Sequence, residues 1–396
     1  MKTSLATLCF LLSCVQSFAA TDEQVTAAYS QNQERYTESL TVFEEQVDHS
    51  HQPNSARLRL VTFNLGMLEF PTEVPNFSQR SALLESYLGE YLKSENPDIL
   101  FLQEAWGDKE ENISIIRELA KQHGYISLQD SNESRGVHGG FWVRSKQRNT
   151  GLETLVKESL LAEEPELEVG FSFATRSSLE WSFRIRRGLL HAKFTLKSGH
   201  RVMVANSHFT PNLGGPWYDQ NSTRLGQVAD ASEHLSELAT DVDYVFYGAD
   251  MNFSPEFEHK VQDGRELDGT IEGWTANRQS YVDFVSSTQL VDSYGVANED
   301  KGYTQDRVAN PVTNVSGSTD GEPEQRLDYV WVGSYTGAGY KIESSNLVFD
   351  EPVVNEEGAS IQAEAYEGDL YWSDHFGVGT IVLLPSVQKE STESEE

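Results

Sequence analysis

Several apolar stretches of this chain end or begin at a residue able to bind a metal or a phosphate: Asn64, Glu104, His208, Asp250 with Asn252, Asp328, and Asp374 with His375. A polar residue at the edge of an apolar run is commonly a turn former, and any one of these alone is satisfied by that reading. Together they make an oxygen-rich donor set without sulfur. Such a set suits Mg2+ or a similar hard cation, which keeps several waters and binds substrate phosphate. The two histidines beside carboxylates add a base and an electrostatic stabiliser. One imidazole can hydrogen-bond a non-bridging phosphate oxygen, and another, oriented by a carboxylate, can take the proton from water. The set therefore points to hydrolysis at phosphorus.

For these residues to meet, the runs that carry them must be strands whose ends share a rim. Residues 58–64 alternate and stop at a polar residue and Gly66, and 98–104 is a nearly continuous apolar run, as in a strand covered on both faces. Strands are also predicted at 140–146, 188–196, 200–208, 243–252, 326–332 and 375–384. Helical spacing marks 78–96, ended by Pro97, then 112–123, closed by Gly124, and 223–239. Residues 148–186 and 253–278 read as polar insertions. So many strands, with helices between only some of them, predict two packed sheets flanked by helices in one catalytic body, residues 57–386.

The flanks carry different signals. Residues 1–19 have Lys2, an apolar stretch from Leu5 to Val15 and a small-x-small site at Ser17-Phe18-Ala19, which predicts a secretory signal peptide and a secreted or periplasmic protein. Leu11-Leu12-Ser13-Cys14 also resembles a lipoprotein box, so lipid anchoring through Cys14 is an alternative. The 2 cysteines, Cys9 and Cys14, both lie in this leader. Its removal leaves no thiol nucleophile, disulfide or zinc–thiolate site. Residues 20–56 read as an acidic arm with one weak helical face, and 387–396 as a disordered acidic tail.

Charge narrows the partners. The 396 residues carry 62 Asp and Glu against 30 Lys and Arg, a formal net charge of −32. That disfavours a polyanionic duplex, whereas a zwitterionic headgroup has no net charge to repel. Trp217 and Tyr218, just beyond His208, could receive a choline headgroup by cation–π contact, as could Trp181 and Phe183; packing is the alternative for each ring. Arg184, Arg186 and Arg187 form a local basic cluster that can face lipid phosphate or merely solvate an edge.

The blocks around these residues resemble, in order, those of the endonuclease/exonuclease/phosphatase superfamily: VTFNLGML, PDILFLQEAW, VANSHFTP, YGADMNFSPE, QRLDYVWV and YWSDHFGV. The resemblance runs from about Leu58 to Leu384 and implies an α/β four-layer sandwich, two mainly antiparallel sheets flanked by helices, with Mg2+-dependent phosphoester cleavage. It would make Glu104 the main metal ligand with Asn64 close by. Asp250 and Asn252 would position water and phosphate, and His208 would stabilise phosphate. His375 would be the general base, oriented by Asp328, with Asp374 supporting the metal or phosphate side and Asp250 the alternative base. A departure is Gly248-Ala249-Asp250, where the family more often has Gly directly before Asp. Further text, including RRGLLHAKF, Arg224, Gln227 and GYTQDRVANPVT, is most similar to the neutral sphingomyelinase branch. That branch implies hydrolysis of sphingomyelin or a related phospholipid at a membrane surface; Trp217, Tyr218 and Arg187 are the candidate substrate contacts, and a monomer is expected. A secreted nuclease of the same fold, or an inactive binding module, are the competing readings.

Overall fold

The protein is described from a computed structural model covering residues 20–47, 56–67, 74–106, 111–128, 150–163, 166–175, 187–211, 220–258, 271–315, 323–355 and 357–386. The leader, the acidic tail, the 140–146 run, Trp181, Phe183, Arg184, Arg186, Trp217 and Tyr218 lie outside the described residues.

In chain order the helices are α1 (Asp22–Gln46), α2 (Phe77–Ser94), α3 (Glu111–Gln122), α4 (Gln220–Leu238), α5 (Ile271–Ser287), α6 (Ser293–Ala297) and α7 (Pro311–Val315). One six-stranded sheet contains β1 (Ala56–Asn64), β2 (Ile99–Gln103), β3 (Tyr125–Leu128), β4 (Glu153–Lys157), β13 (Lys341–Val348) and β14 (Gly377–Leu384), in the order β13-β14-β1-β2-β4-β3. The other contains β5 (Glu168–Phe173), β6 (Gly188–Thr195), β7 (Arg201–His208), β8 (Tyr244–Asp250), β10 (Leu290–Asp292) and β12 (Asp328–Gly333), in the order β10-β12-β8-β7-β6-β5. A two-stranded ribbon joins β9 (Phe257–Glu258) to β11 (Glu324–Gln325).

Each six-stranded sheet is antiparallel except for one central parallel pair, β1 with β2 and β7 with β8. Parallel neighbours need a crossover, and helices α2 and α4 supply it. The consequence for function is topological: adjacent parallel strands end side by side, so their last residues are neighbours. Antiparallel partners β12 and β14 start at the same rim.

Three apolar layers hold these elements. Phe101, Phe194, Val204, Phe246 and Val382 pack between the sheets. Leu84, Leu88, Leu102 and Leu119 pack α2 and α3 onto the first sheet, and Val228, Leu235, Phe284 and Trp331 pack α4 and α5 onto the second. At about 1.5–3 kcal/mol per buried large side chain, these layers supply the main favourable term of folding. The sheets approach closely at Gly248, where an added Cβ would sit 2.2 Å from Phe101 Cδ2. This explains a glycine in a strand with no turn to make.

Several elements differ from the sequence reading. The segment 148–186 is not simply a polar insertion, because β4 and β5 lie within it. The segment 253–278 likewise contains β9 and the start of α5. These strands are short or edge-placed, so their apolar pattern is too brief to stand out.

The acidic arm folds as α1, opened by a capping box at Thr21 and Gln24. Its side chains 32, 36 and 39 share one face and reach the edge strands of both sheets. Asp292 N on β10 donates to Asn32 Oδ1 at 2.9 Å, and Asn32 Nδ2 donates back to Asp292 O at 3.4 Å. Tyr36 Oη donates to Ile342 O on β13 and accepts from Ile342 N, at 3.0 and 3.2 Å. Ser39 Oγ accepts from Tyr340 N at 3.0 Å. One helix thus satisfies backbone groups on two open sheet edges, a protection that edge strands require.

Candidate active site

The C-terminal ends of the two parallel pairs, facing each other across the sandwich, hold Asn64 and Glu104 on one sheet and His208 and Asp250 on the other. Within the second sheet, His208, Asp250 and Asp328 lie in one row, since His208 pairs with Asp250 and Asp250 with Asp328. His375 lies two residues before β14 and reaches across to that row, its Nδ1 donating to Asp328 Oδ2 at 2.8 Å. Six separated sequence blocks therefore converge on one rim.

The hydrogen bonds show what each side chain does. Asn64 Nδ2 donates to Asp250 Oδ2 at 2.8 Å, while Asn64 Oδ1 accepts from Gly66 N at 2.9 Å. Asn64 thus uses both ends of its carboxamide within the protein and orients Asp250. Asp250 Oδ1 accepts from Asn252 N at 3.0 Å, and Asn252 Nδ2 donates to Phe209 O at 3.0 Å. His208 Nε2 lies 3.4 Å from Asp250 Oδ2 and 3.8 Å from Glu104 Oε1. Asp374 Oδ1 accepts from Ser373 Oγ at 3.2 Å. Glu104 and Asn252 have φ of 49° each, in the left-handed region that non-glycine residues avoid at a cost of roughly 1–2 kcal/mol. Both residues leave a strand end through this bend, which turns their side chains to the rim.

Like charges crowd the pocket. Burial, then the Asp374 and Asp250 carboxylates, push Glu104 from 4.5 up to about 8 against the pull of His375. Burial, then Asp328, raise Asp250 to about 7 despite His375 and the Asn64 hydrogen bond. Burial pulls His375 down, but the Asp328 charge and hydrogen bond, with Asp250 and Asp374, leave it well above the usual histidine range. His208 moves the other way, lowered well below 6.5 by burial and by the Arg187 and His375 charges.

This pocket fits a hard divalent cation. Four buried or half-buried carboxylates, Glu104, Asp250, Asp328 and Asp374, oppose one another's ionisation, and a cation relieves that opposition. Ligand atoms of Asp250, Asp328 and His375 all lie within 4.8 Å of one another. Asp328 Oδ1 is buried without a hydrogen-bond partner, whereas Oδ2 is engaged by His375. This Asp/Asp/His cluster can therefore hold a metal through its carboxylates, with Glu104 adjoining it through His208. His375, positive on Asp328, is their neighbour and not a ligand.

Arg187, read from sequence as facing substrate, is buried, and its Nη1 donates to His208 O at 3.0 Å. It props the end of β7 and adds a positive charge behind the pocket. Other side chains support the pocket, and of these sequence reasoning missed Arg80. Arg80 Nη1 donates to Leu65 O and Trp372 O, at 3.0 and 2.8 Å, and its Nη2 to Gly66 O at 2.8 Å, tying the loop after Asn64 to the segment before Ser373. A charged residue at a buried position of an amphipathic helix was the available signal. Gln103 Nε2 donates to Asn206 Oδ1 at 2.8 Å and to Thr62 Oγ1 at 3.1 Å, linking the sheets just below the pocket. Gln227 joins Thr210 to Thr175 through its carboxamide, and Arg224 Nη1 donates to Thr210 O at 2.9 Å.

Comparison with known proteins agrees with this architecture. A search of curated protein sequences finds no match. Among solved structures, beta toxin from Staphylococcus aureus is similar with a TM-score of 0.56 at 16% identity, covering 82% of this chain and 99% of that one. Humanized Danio rerio TDP2 gives 0.51 at 17%, covering 82% and 98%. A mannosyl-6-phosphatase from Bacteroides thetaiotaomicron gives 0.51 at 16%, covering 82% and 99%. Identities this low carry the fold alone. The sequence profile described as the Endonuclease/Exonuclease/phosphatase family matches residues 61–375, a span that begins in β1 and closes on His375. With the two sheets and their shared rim arranged as that fold requires, the chain belongs to the endonuclease/exonuclease/phosphatase family.

Proposed function

We propose that this protein is a secreted, Mg2+-dependent phosphodiesterase that hydrolyses sphingomyelin or a related phospholipid to ceramide or diglyceride and a phosphorylated headgroup. The observation that carries the hydrolytic reading is the His375–Asp328 pair set against Asp250, Glu104 and His208 at one rim. When bound, the cation supplies Lewis-acid neutralisation of phosphate charge. The chain's own groups do the rest. His208, neutral at physiological pH, offers a ring N–H to a non-bridging oxygen. Asp250, buried with its pKa at about 7, is matched to taking a proton from water near neutral pH. His375, held positive by Asp328, stabilises the charge that gathers on phosphate. This exchanges the roles suggested by sequence, where His375 was the base and Asp250 its alternative. Asn64 and Asn252 fix the Asp250 carboxylate.

The choice of lipid over nucleic acid is supported by charge: at −32, the protein repels a polyanion along its length but not a zwitterionic headgroup at a membrane. The structural neighbours leave that choice open, since the fold is shared by a toxin, by TDP2 and by a sugar phosphatase. Secretion rests on the leader at residues 1–19. Among the described residues no helix is long and apolar enough to cross a membrane. The test is turnover of labelled sphingomyelin and of plasmid DNA by the purified protein, with and without a chelator. Chelator-sensitive lipid turnover is expected; DNA cleavage without lipid turnover would overturn the lipid assignment.

A further inference from the structure

The run GYTQDRVANPVT places residues 304–313 against both halves of the Asp328–His375 pair. Thr304 is buried, and its Oγ1 accepts from Leu327 N at 3.0 Å and from Asp328 N at 3.2 Å. Its carbonyl accepts from Phe376 N at 2.7 Å. Asp328 stands at the start of β12 and His375 just before β14, strands that belong to different sheets. The hydrogen bond between their side chains therefore spans the sandwich, with its geometry set by the relative placement of two backbone segments. Thr304 bonds to both segments.

The neighbouring residues hold the same segment from the other side. Asn310 Nδ2 donates to Ser373 O at 2.8 Å, and Thr313 Oγ1 donates to Asp374 O at 2.5 Å. Gln305 and Gln325 exchange backbone hydrogen bonds at 3.0 and 3.1 Å, fixing Thr304 in register with the approach to β12. Asn310 and Thr313 grip the histidine side, and Gln305 the aspartate side.

We propose that Thr304 is a positioning residue for the Asp328–His375 pair, its hydroxyl setting the aspartate and its carbonyl the histidine across the two sheets. The assignment presupposes the phosphoester hydrolysis proposed above, whereas the spectroscopic readout below needs no substrate. Replacing the hydroxyl by a methyl leaves two adjacent buried amides without an acceptor, and relaxing them moves the Asp328 carboxylate relative to His375. Misplacement on the order of an ångström costs up to about 100-fold in rate when geometry is the issue.

Thr304→Val, Thr304→Ser and a control, Thr288→Val, are compared with the unmodified protein. Thr288 is buried and hydrogen-bonded at the end of α5, outside the site, so it reports generic loss of a threonine hydroxyl. The first readout is the downfield proton resonance of the His375 Nδ1–H, identified by its absence in His375→Gln. The second is steady-state hydrolysis of bis(p-nitrophenyl) phosphate and of sphingomyelin vesicles. Expected for Thr304→Val are loss or an upfield shift of the resonance and a kcat lowered by roughly 10- to 100-fold, with KM within about threefold. Thr304→Ser should keep both, and Thr288→Val should change thermal stability alone. A folded Thr304→Val with the resonance and kcat of the parent overturns the assignment, as does a folded Thr304→Ser that loses them. If Thr304→Val does not fold, Thr304→Ser decides: retention of the resonance supports the hydroxyl's role and its loss refutes it. A resonance that responds as expected in a protein inactive on both substrates would sink the hydrolase reading while leaving the positioning role standing.

Discussion

Neutralising Glu104 should stabilise the metal-free protein while abolishing its activity, and the stabilisation should depend on pH with a definite sign. In the folded chain, burial and the facing Asp374 and Asp250 carboxylates raise Glu104 from 4.5 to about 8. An acid whose folded pKa lies above its unfolded value holds its proton longer in the folded state. Stability therefore falls as pH rises from 4.5 towards 8, by about 1.4 kcal/mol per pH unit inside that window. Between pH 5 and 8 the penalty on the parent is roughly 3–4 kcal/mol from this group alone. Glu104→Gln keeps the shape without the charge, so about 2–4 kcal/mol of that penalty should disappear at pH 8 and little of it at pH 5. The assay is urea unfolding of parent and variant in chelator at both pH values. Mg2+ should then reverse the order at pH 8, since a cation that binds the folded parent stabilises it by mass action and finds a weaker site in the variant. A Glu104→Gln protein no more stable than the parent at pH 8 in chelator, or equally altered at pH 5, refutes the picture of mutually opposed carboxylates.

Other expectations follow from the same geometry. His375→Ala should lose several orders of magnitude in rate with its circular dichroism unchanged; near-parental turnover would remove His375 from the chemistry. If Asp250 takes the proton, the acidic limb of the kcat/KM profile should vanish in Asp250→Asn, whose residual rate should be pH-independent there. In the parent the limb should lie below the metal-free value of about 7, because a bound cation relieves the carboxylate repulsion. Gly248→Ala pushes a Cβ into Phe101 and should cost about 1–3 kcal/mol in urea unfolding, an effect absent if the sheets can part at that point. Asn32→Ala strips two hydrogen bonds from the edge residue Asp292, which a matched double variant with Tyr36→Phe should extend to β13. About 1–3 kcal/mol of stability and greater self-association on light scattering are expected, and an unchanged midpoint would show that α1 does not seal the edges.

The residues that meet at the rim were legible in the sequence because each ends or begins an apolar run, and a strand's end is where a polar side chain can leave the core. Asn64, Glu104, His208, Asp250, Asp328 and His375 were visible in this way, as were two packed sheets with flanking helices. The short strands β3, β4 and β10, the eight-residue edge strand β13 and the helix α5 were not. The first three are too brief for a clear apolar periodicity, β13 is largely polar, and α5 starts inside a polar segment. Nor could spacing show that Arg187 is buried and bonds to the His208 carbonyl, since a buried and an exposed arginine read alike in a chain.

By itself the sequence determined the donor types, their order, and hence the class of chemistry, because residue identity decides whether a group can bind a hard cation or carry a proton. Tertiary structure decided which groups meet and in what protonation state. The two parallel pairs bring four strand ends to one rim, the antiparallel partners deliver Asp328 and His375 to it, and their mutual burial moves Glu104 and Asp250 towards neutral pH. Those shifts come from distances between residues far apart in the chain, and only the fold sets those distances.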